Sequence, residues 1–126
     1  DMFSEMRTAA LLAKAVAEDA SALPAHQALE MATINGAKAL GLGNVIGSLE
    51  AGKYADITAI NLDALNSTPL YNPVSHLIYS TQASQVSHVW CAGQLLLDEG
   101  RFTKLDSEAI KSDSAKWQAI LADAEQ

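Results

Sequence analysis

Residues 32–42 read Ala32-Thr33-Ile34-Asn35-Gly36-Ala37-Lys38-Ala39-Leu40-Gly41-Leu42, and residues 46–57 read Ile46-Gly47-Ser48-Leu49-Glu50-Ala51-Gly52-Lys53-Tyr54-Ala55-Asp56-Ile57. Between these two stretches the apolar period changes. Asn-Gly between alternating strands signals a hairpin. Here Asn35-Gly36 lies between helical patterns, so it marks the end of one helix and the start of a short one over about 36–40. Gly41 then suits the left-handed position that closes a helix. Val45 to Leu49 predicts a short strand, Gly52 a turn, and Ala55 to Ile60 alternates as a strand does. Asp56, at the entry to that strand, reads as a side chain that accepts backbone N–H groups.

Upstream, Phe3, Met6, Ala10, Ala13 and Ala17 recur at intervals of three and four, predicting a helix from Met2 to about Glu18, with Asp1 placed either to cap it or to follow a cap further upstream. Pro24 suits the start of a second helix reaching about Ala32, with Ala25, Ala28, Leu29 and Ala32 inward. Downstream, residues 66–73 are a loop broken by Pro69 and Asn72-Pro73, and Val74 to Tyr79 is a helical turn. Val86–Cys91 and Gln94–Leu97 form a hairpin around Ala92-Gly93. Its alternation places Val89 and Cys91 inward and His88 and Trp90 on the opposite face. Asp106 or Ser107 opens a last helix with Ile110, Trp117, Ile120 and Leu121 on its apolar side.

The chain thus divides into helices over 1–42, strands over 43–104 and a terminal helix over 105–126, an α+β composition. Its 126 residues could bury roughly two-thirds of the unfolded surface in one domain. Hydrophobic residues make up 49% and charged residues 18%, which fits a globular protein and argues against a disordered chain. The net charge of −7, with no basic segment, argues against nucleic acid as a partner. No apolar run approaches the ~20 residues of a membrane span, so no membrane partner is expected. The single Cys91 and the lack of a leader-like start place the protein in the cytoplasm by expectation. The chain opens on Asp1 rather than Met, directly into a helix, as a trimmed chain or part of a longer protein would.

The residues alone supply no active site. His26, His76 and His88 match no metal-ligand spacing. Cys91 reads as an inert buried thiol. Gly41, Gly43 and Gly47 form neither a dinucleotide fingerprint nor a phosphate loop, and no Gly-x-Ser-x-Gly elbow occurs. No second titratable group stands near Asp56 to make it catalytic. Trp90, Trp117 and Tyr79 read as core or interface aromatics.

The two stretches quoted first resemble the C-terminal signature of the amidohydrolase superfamily, an AT-x-NGA-x-ALGL helix pair followed by a G-S-L-E-x-G-K-x-A-D turn and strand. Val86-Ser87-His88-Val89-Trp90-Cys91-Ala92-Gly93 is similar to the late hairpin of that family. Met2-Phe3-Ser4-Glu5-Met6-Arg7-Thr8-Ala9 is similar to the helix after its last barrel strand. Within the superfamily the likeness is to the cytosine, triazine and methylthioadenosine/S-adenosylhomocysteine deaminase group.

The resemblance implies the last helices of a metal-dependent (β/α)8 barrel, here residues 1–42, plus part of a composite β-sandwich over 43–104. It implies a parent hydrolase acting on C–N bonds other than peptide bonds, in which water activated by a divalent metal, Zn or Fe, deaminates an amino-heterocycle. The matching residues Asn35, Gly36, Gly47, Gly52, Lys53 and Asp56 are scaffold, Lys53 and Asp56 being placed to tie the turn. No catalytic or metal-binding residue carries over, so the chain alone is expected to be inactive and to bind no metal. Its expected partners are the rest of the barrel, the N-terminal sandwich strands and, for the parent, further copies. Two other readings fit the residues: a triazine or chloro-heterocycle hydrolase, and a non-catalytic sandwich module binding through Trp90, Trp117 and Leu95-Leu96-Leu97. A small-ligand binding domain has only the aromatics behind it.

Overall fold

The computed structural model describes residues 1–124, so the last two residues of the expected 105–126 segment lie outside the described residues. Helix α1 spans Met2–Ala17. Asp1 caps it, its Oδ1 accepting the Phe3 amide at 2.9 Å. Met6 and Ala10 of the expected stripe are buried, while Val16 is exposed.

Helix α2 (Ala25–Glu30) follows Pro24, which takes the N-cap position. The expected break at Asn35-Gly36 does not occur. The chain continues from α2 through one π-helical turn, Met31–Asn35, into α3, Gly36–Ala39. Gly36 sits at φ −59°, an ordinary helical value. A Cβ there would lie 3.4 Å from the Met31 carbonyl oxygen, so Gly36 spares the widened turn a tight contact rather than permitting a new helix entry.

Helix α4 spans Pro73–Tyr79 with Pro73 in its first turn and Asn72 as cap, accepting the Ser75 amide at 3.0 Å. Met6, Ala10, Ala28 and Ile78 close the core between α1, α2 and α4, with Phe3, Leu23, Ala25, Leu29 and Ala32 against it. Two cations of α1 complete this packing. Arg7 donates from Nε to Ile78 O at 3.1 Å and from Nη2 to Thr81 O at 2.6 Å. Lys14 Nζ donates to Ala22 O and Leu23 O and stands 5.8 Å from the Tyr79 ring centre.

The sheet is antiparallel in the order β1 (Ile57–Ile60), β2 (Val86–Cys91), β3 (Gln94–Asp98), β4 (Arg101–Phe102). The β2–β3 hairpin turns on Ala92 (φ 48°) and Gly93 (φ 77°), two consecutive left-handed residues, as a tight twisted hairpin needs. The short β4 lies beyond the expected hairpin. The strand expected at Val45–Leu49 is a set of turns. Val45 and Ile46 donate to Leu42 O, and Tyr54 N donates to Val45 O at 2.8 Å, so the segment folds back instead of extending.

Cys91 is exposed, not inward: it ends β2 opposite Gln94, at the open rim beside the turn. The bulge where β2 meets β3 leaves Leu96 of β3 unpaired, so the alternation of β2 runs unbroken to Cys91 and its position at the rim exposes it.

No strand residue is fully buried, and the buried apolar residues all lie in helices. The accessible surface is 9048 Å², against roughly 6,500 Å² for a packed domain of this mass. Helix α5 (Ser107–Ala124) is capped by Asp106, whose Oδ1 accepts the Glu108 and Ala109 amides at 3.0 Å. Its apolar residues Ile110, Trp117, Ile120 and Leu121 are exposed.

Candidate functional site

The turn segment from Gly43 to Asp56 joins the helices to the sheet, and four of the six scaffold residues, Gly47, Gly52, Lys53 and Asp56, lie in it. Lys53 is its centre. The side chain is only 11% exposed, and Nζ donates to Gly43 O at 2.8 Å and to Ser48 Oγ at 2.6 Å. It also pairs with Glu50 Oε1 at 3.1 Å. Three acceptors occupy the ammonium, so its geometry is that of a clamp and leaves no free amine for nucleophilic work.

The Ser48 hydroxyl in turn donates to Glu50 Oε1. That bond first, and then the hydrogen bond and charge of Lys53, hold the Glu50 carboxyl below its ordinary value.

Gly47 is placed where a side chain cannot go. Its φ is +89°, and a Cβ would fall 2.6 Å from Ala37 Cβ and 3.0 Å from Ile34 Cα. The turn therefore rests directly on the π-helical turn and α3. Gly52 also has a positive φ, +92°, but faces open space. Asn35 caps nothing with its side chain and is exposed.

Asp56 does not join Lys53. Its Oδ1 accepts the Ala92 amide at 2.7 Å, and Gly93 N donates to Ala55 O at 3.0 Å. The carboxylate thus stabilises a turn by accepting a backbone N–H, as its position suggested, but the turn is the distant β2–β3 hairpin. β1 starts at Ile57 rather than Ala55 because the two preceding residues are spent on these contacts.

The histidines stay apart in role. His26 is exposed. His76, on α4, buries an Nδ1 that has no hydrogen-bond partner among the described residues. His88 lies 3.1 Å from Asp98 Oδ1 through Nε2 and 3.0 Å from Ser87 Oγ through Nδ1, and it stacks on Trp90 with centres 5.4 Å apart. Ser87 is the extra residue of a bulge opposite Ala59/Ile60, which turns its hydroxyl toward Ala59 O and the imidazole. Sequence spacing could not show this group, because the bulge and the β2–β3 register create it. Arg7 was likewise invisible as a clamp: its partners lie 71 and 74 residues away.

Among the described residues no group of three or more His, Cys, Asp or Glu side chains stands together to hold a metal ion. No described helix is long and apolar enough to cross a membrane. What the arrangement does chemically is position backbone, through Lys53, Asp56 and Arg7.

Comparison with known proteins gives this scaffold its context. The family model described as "Amidohydrolase family" matches residues 1–96. A 5-methylthioadenosine/S-adenosylhomocysteine deaminase of Teredinibacter turnerae is 48% identical over 121 residues, which is 96% of this chain and 27% of that protein. Among solved structures, an adenosine deaminase from Xanthomonas campestris with bound zinc superposes with a TM-score of 0.93 at 46% identity, over 97% of this chain and 28% of that one. The atrazine chlorohydrolase of Arthrobacter aurescens complexed with zinc superposes at 0.82 with 29% identity, over 90% of this chain and 25% of that one. The chain therefore spans about a quarter of the length of these relatives.

Proposed function

The chain belongs to the amidohydrolase family, and from that premise we propose that it is the scaffold-bearing part of a hydrolytic deaminase acting on the purine of 5′-methylthioadenosine or S-adenosylhomocysteine. The observation that carries this reading is the 48% identity to a deaminase of that name across almost the whole chain. In the reaction the oxygen of water bonds to the ring carbon bearing the amino group, the C–N bond breaks, and nitrogen leaves as ammonia after proton transfer. Nothing is oxidised or reduced.

A divalent metal would supply the activation of water in the parent. The zinc in the Xanthomonas and Arthrobacter relatives supports this. We assign its ligands, and the groups that move protons, to residues outside this chain, because the resemblance places the family's metal motifs on no residue present here. What residues 1–124 contribute is position. Arg7 and the Met6–Ala10–Ala28–Ile78 core hold α1, α2 and α4 as one block, and Lys53 and Asp56 hold the link to the sheet. The remainder of the barrel and further strands of the sandwich would cover the surface that the chain leaves open. The half-buried strands and the 9048 Å² of accessible surface support that partner set.

The test is substrate discrimination by the protein expressed from its full reading frame. kcat/KM for 5′-methylthioadenosine and S-adenosylhomocysteine should exceed that for a chlorinated triazine by orders of magnitude. The reverse order would move the protein to the triazine hydrolases, whose 29% identity gives the weaker support. Loss of turnover by neither substrate on metal removal would overturn the metal-dependent mechanism.

A further inference from the structure

The Asn35 side chain is exposed and makes no capping hydrogen bond. Gly36 follows it with no side chain of its own, so a backbone nitrogen stands beside a primary amide with nothing to hinder their approach. That pairing has a chemistry. The Gly36 nitrogen bonds to Asn35 Cγ, the Cγ–Nδ2 bond breaks, and Nδ2 leaves as ammonia with the proton that the Gly36 nitrogen sheds. Water then opens the resulting cyclic imide at one of its two carbonyls. The product is aspartate, or isoaspartate with the backbone running through Cγ. Nothing is oxidised or reduced.

The closed turn withholds this reaction. Asn35 sits at φ −72° and ψ −38° and Gly36 at φ −59° and ψ −46°, both helical. The Gly36 N–H donates to Thr33 O. Ring closure needs that nitrogen free of its proton and the link between the two residues rotated out of the helix. The turn that prevents this is weakly held. It is a π-helical turn of five residues, none of them buried. Thr33 Oγ1 donates to Leu29 O at 2.7 Å and so competes for a carbonyl of the helix's own ladder. Gly47 rests on the turn, where a Cβ would fall 3.0 Å from Ile34 Cα and 3.2 Å from Thr33 O.

We propose that Asn35-Gly36 is a self-modification site gated by local opening of the π-helical turn. Opening frees the Gly36 nitrogen while the rest of the fold stays intact. Isoaspartate lengthens the backbone by one carbon, so the turn cannot close again in its register and the seat of Gly47 is lost. The proposal concerns the backbone of this chain and does not depend on which substrate the protein deaminates.

The test is the rate of conversion at Asn35 in the full-reading-frame protein, followed by peptide mass spectrometry with separation of the aspartate and isoaspartate forms. The native protein should convert roughly a hundredfold or more slowly than the protein unfolded in urea, the turn being open in a small fraction of molecules. Below the unfolding transition the native rate should change little with urea, because a local opening exposes little surface. Gly47→Ala should raise the native rate on the order of tenfold or more, since opening relieves its clash with the turn. Gly52→Ala, strained but facing open space, should leave the rate unchanged. Gly36→Ala should slow conversion in urea by about tenfold or more, because a Cβ hinders ring closure. The urea dependence of wild type decides the matter if Gly47→Ala fails to fold. Equal rates in native and unfolded protein, a native rate no faster than global unfolding allows, or a Gly36→Ala chain that converts like wild type would each overturn the proposal.

Discussion

The carboxylate of Asp56 accepts the amide of Ala92 at 2.7 Å across 36 residues of chain, so the entry of β1 and the β2–β3 turn are locked by one side chain. Asp56→Ala removes a charge-assisted bond at an exposed site and should cost about 1 kcal/mol. Asp56→Asn keeps an acceptor and should recover part of it. Urea unfolding of the full-reading-frame protein measures both. Equal stability of wild type and Asp56→Ala would mean the bond contributes nothing.

Gly47 and Gly52 both adopt positive φ, but only Gly47 is pressed against Ala37 and Ile34. Gly52→Ala should cost about 1 kcal/mol, the strain of a left-handed alanine. Gly47→Ala adds a clash with helix backbone and should cost at least ~2–3 kcal/mol. Equal costs would show that the turn yields freely from the helix.

Arg7 bridges Ile78 O and Thr81 O with two different nitrogens. Arg7→Ala should destabilise by about 2 kcal/mol, leaving two half-buried carbonyls at the end of α4 without their donor. Arg7→Lys should recover less than half, because a single ammonium cannot reproduce the fork. Full rescue by lysine would show that charge alone matters.

The sequence made some of this legible, and the reasons differ by residue. Asp1 and Asp106 were readable because a cap acts within three residues of itself, whereas Asn72, read only as a loop breaker, caps α4. The hairpin at Ala92-Gly93 was readable because φ > 0 at Gly93 is a local demand. The failures involve distance. Asn35-Gly36 looks like a break, yet tertiary packing carries the helix through a π-helical turn. Val45–Leu49 has strand composition, but the Leu42 and Tyr54 backbone bonds fold it into turns. Cys91 follows the alternation on paper, but its place at the sheet rim beside the turn exposes it. The Lys53 clamp was half legible: its part in holding the turn followed from the motif, while Asp56, its supposed partner, serves another turn.

Acid should loosen the exposed carboxylate turns. The Ser48 hydroxyl and Lys53 lower the Glu50 carboxyl, and the Ser21 hydroxyl and amide lower that of Asp19. A carboxyl lowered in the folded state adds stability above its unfolded value and loses it as pH falls through the folded one. Stability should therefore decline as pH drops below the ordinary values of 4.5 for Glu50 and 3.8 for Asp19. The slope should shrink in Glu50→Gln and at high salt, since both groups are exposed. Unfolding curves across acid pH check this, and an unchanged slope in Glu50→Gln would contradict it.

Ammonia release from 5′-methylthioadenosine, with zinc supplied, tests the central claim most directly when the full-reading-frame protein and residues 1–126 alone are compared side by side. The account predicts turnover by the full protein and none by residues 1–126. Turnover by residues 1–126 alone, or a full protein that binds zinc and folds yet releases no ammonia, would contradict it.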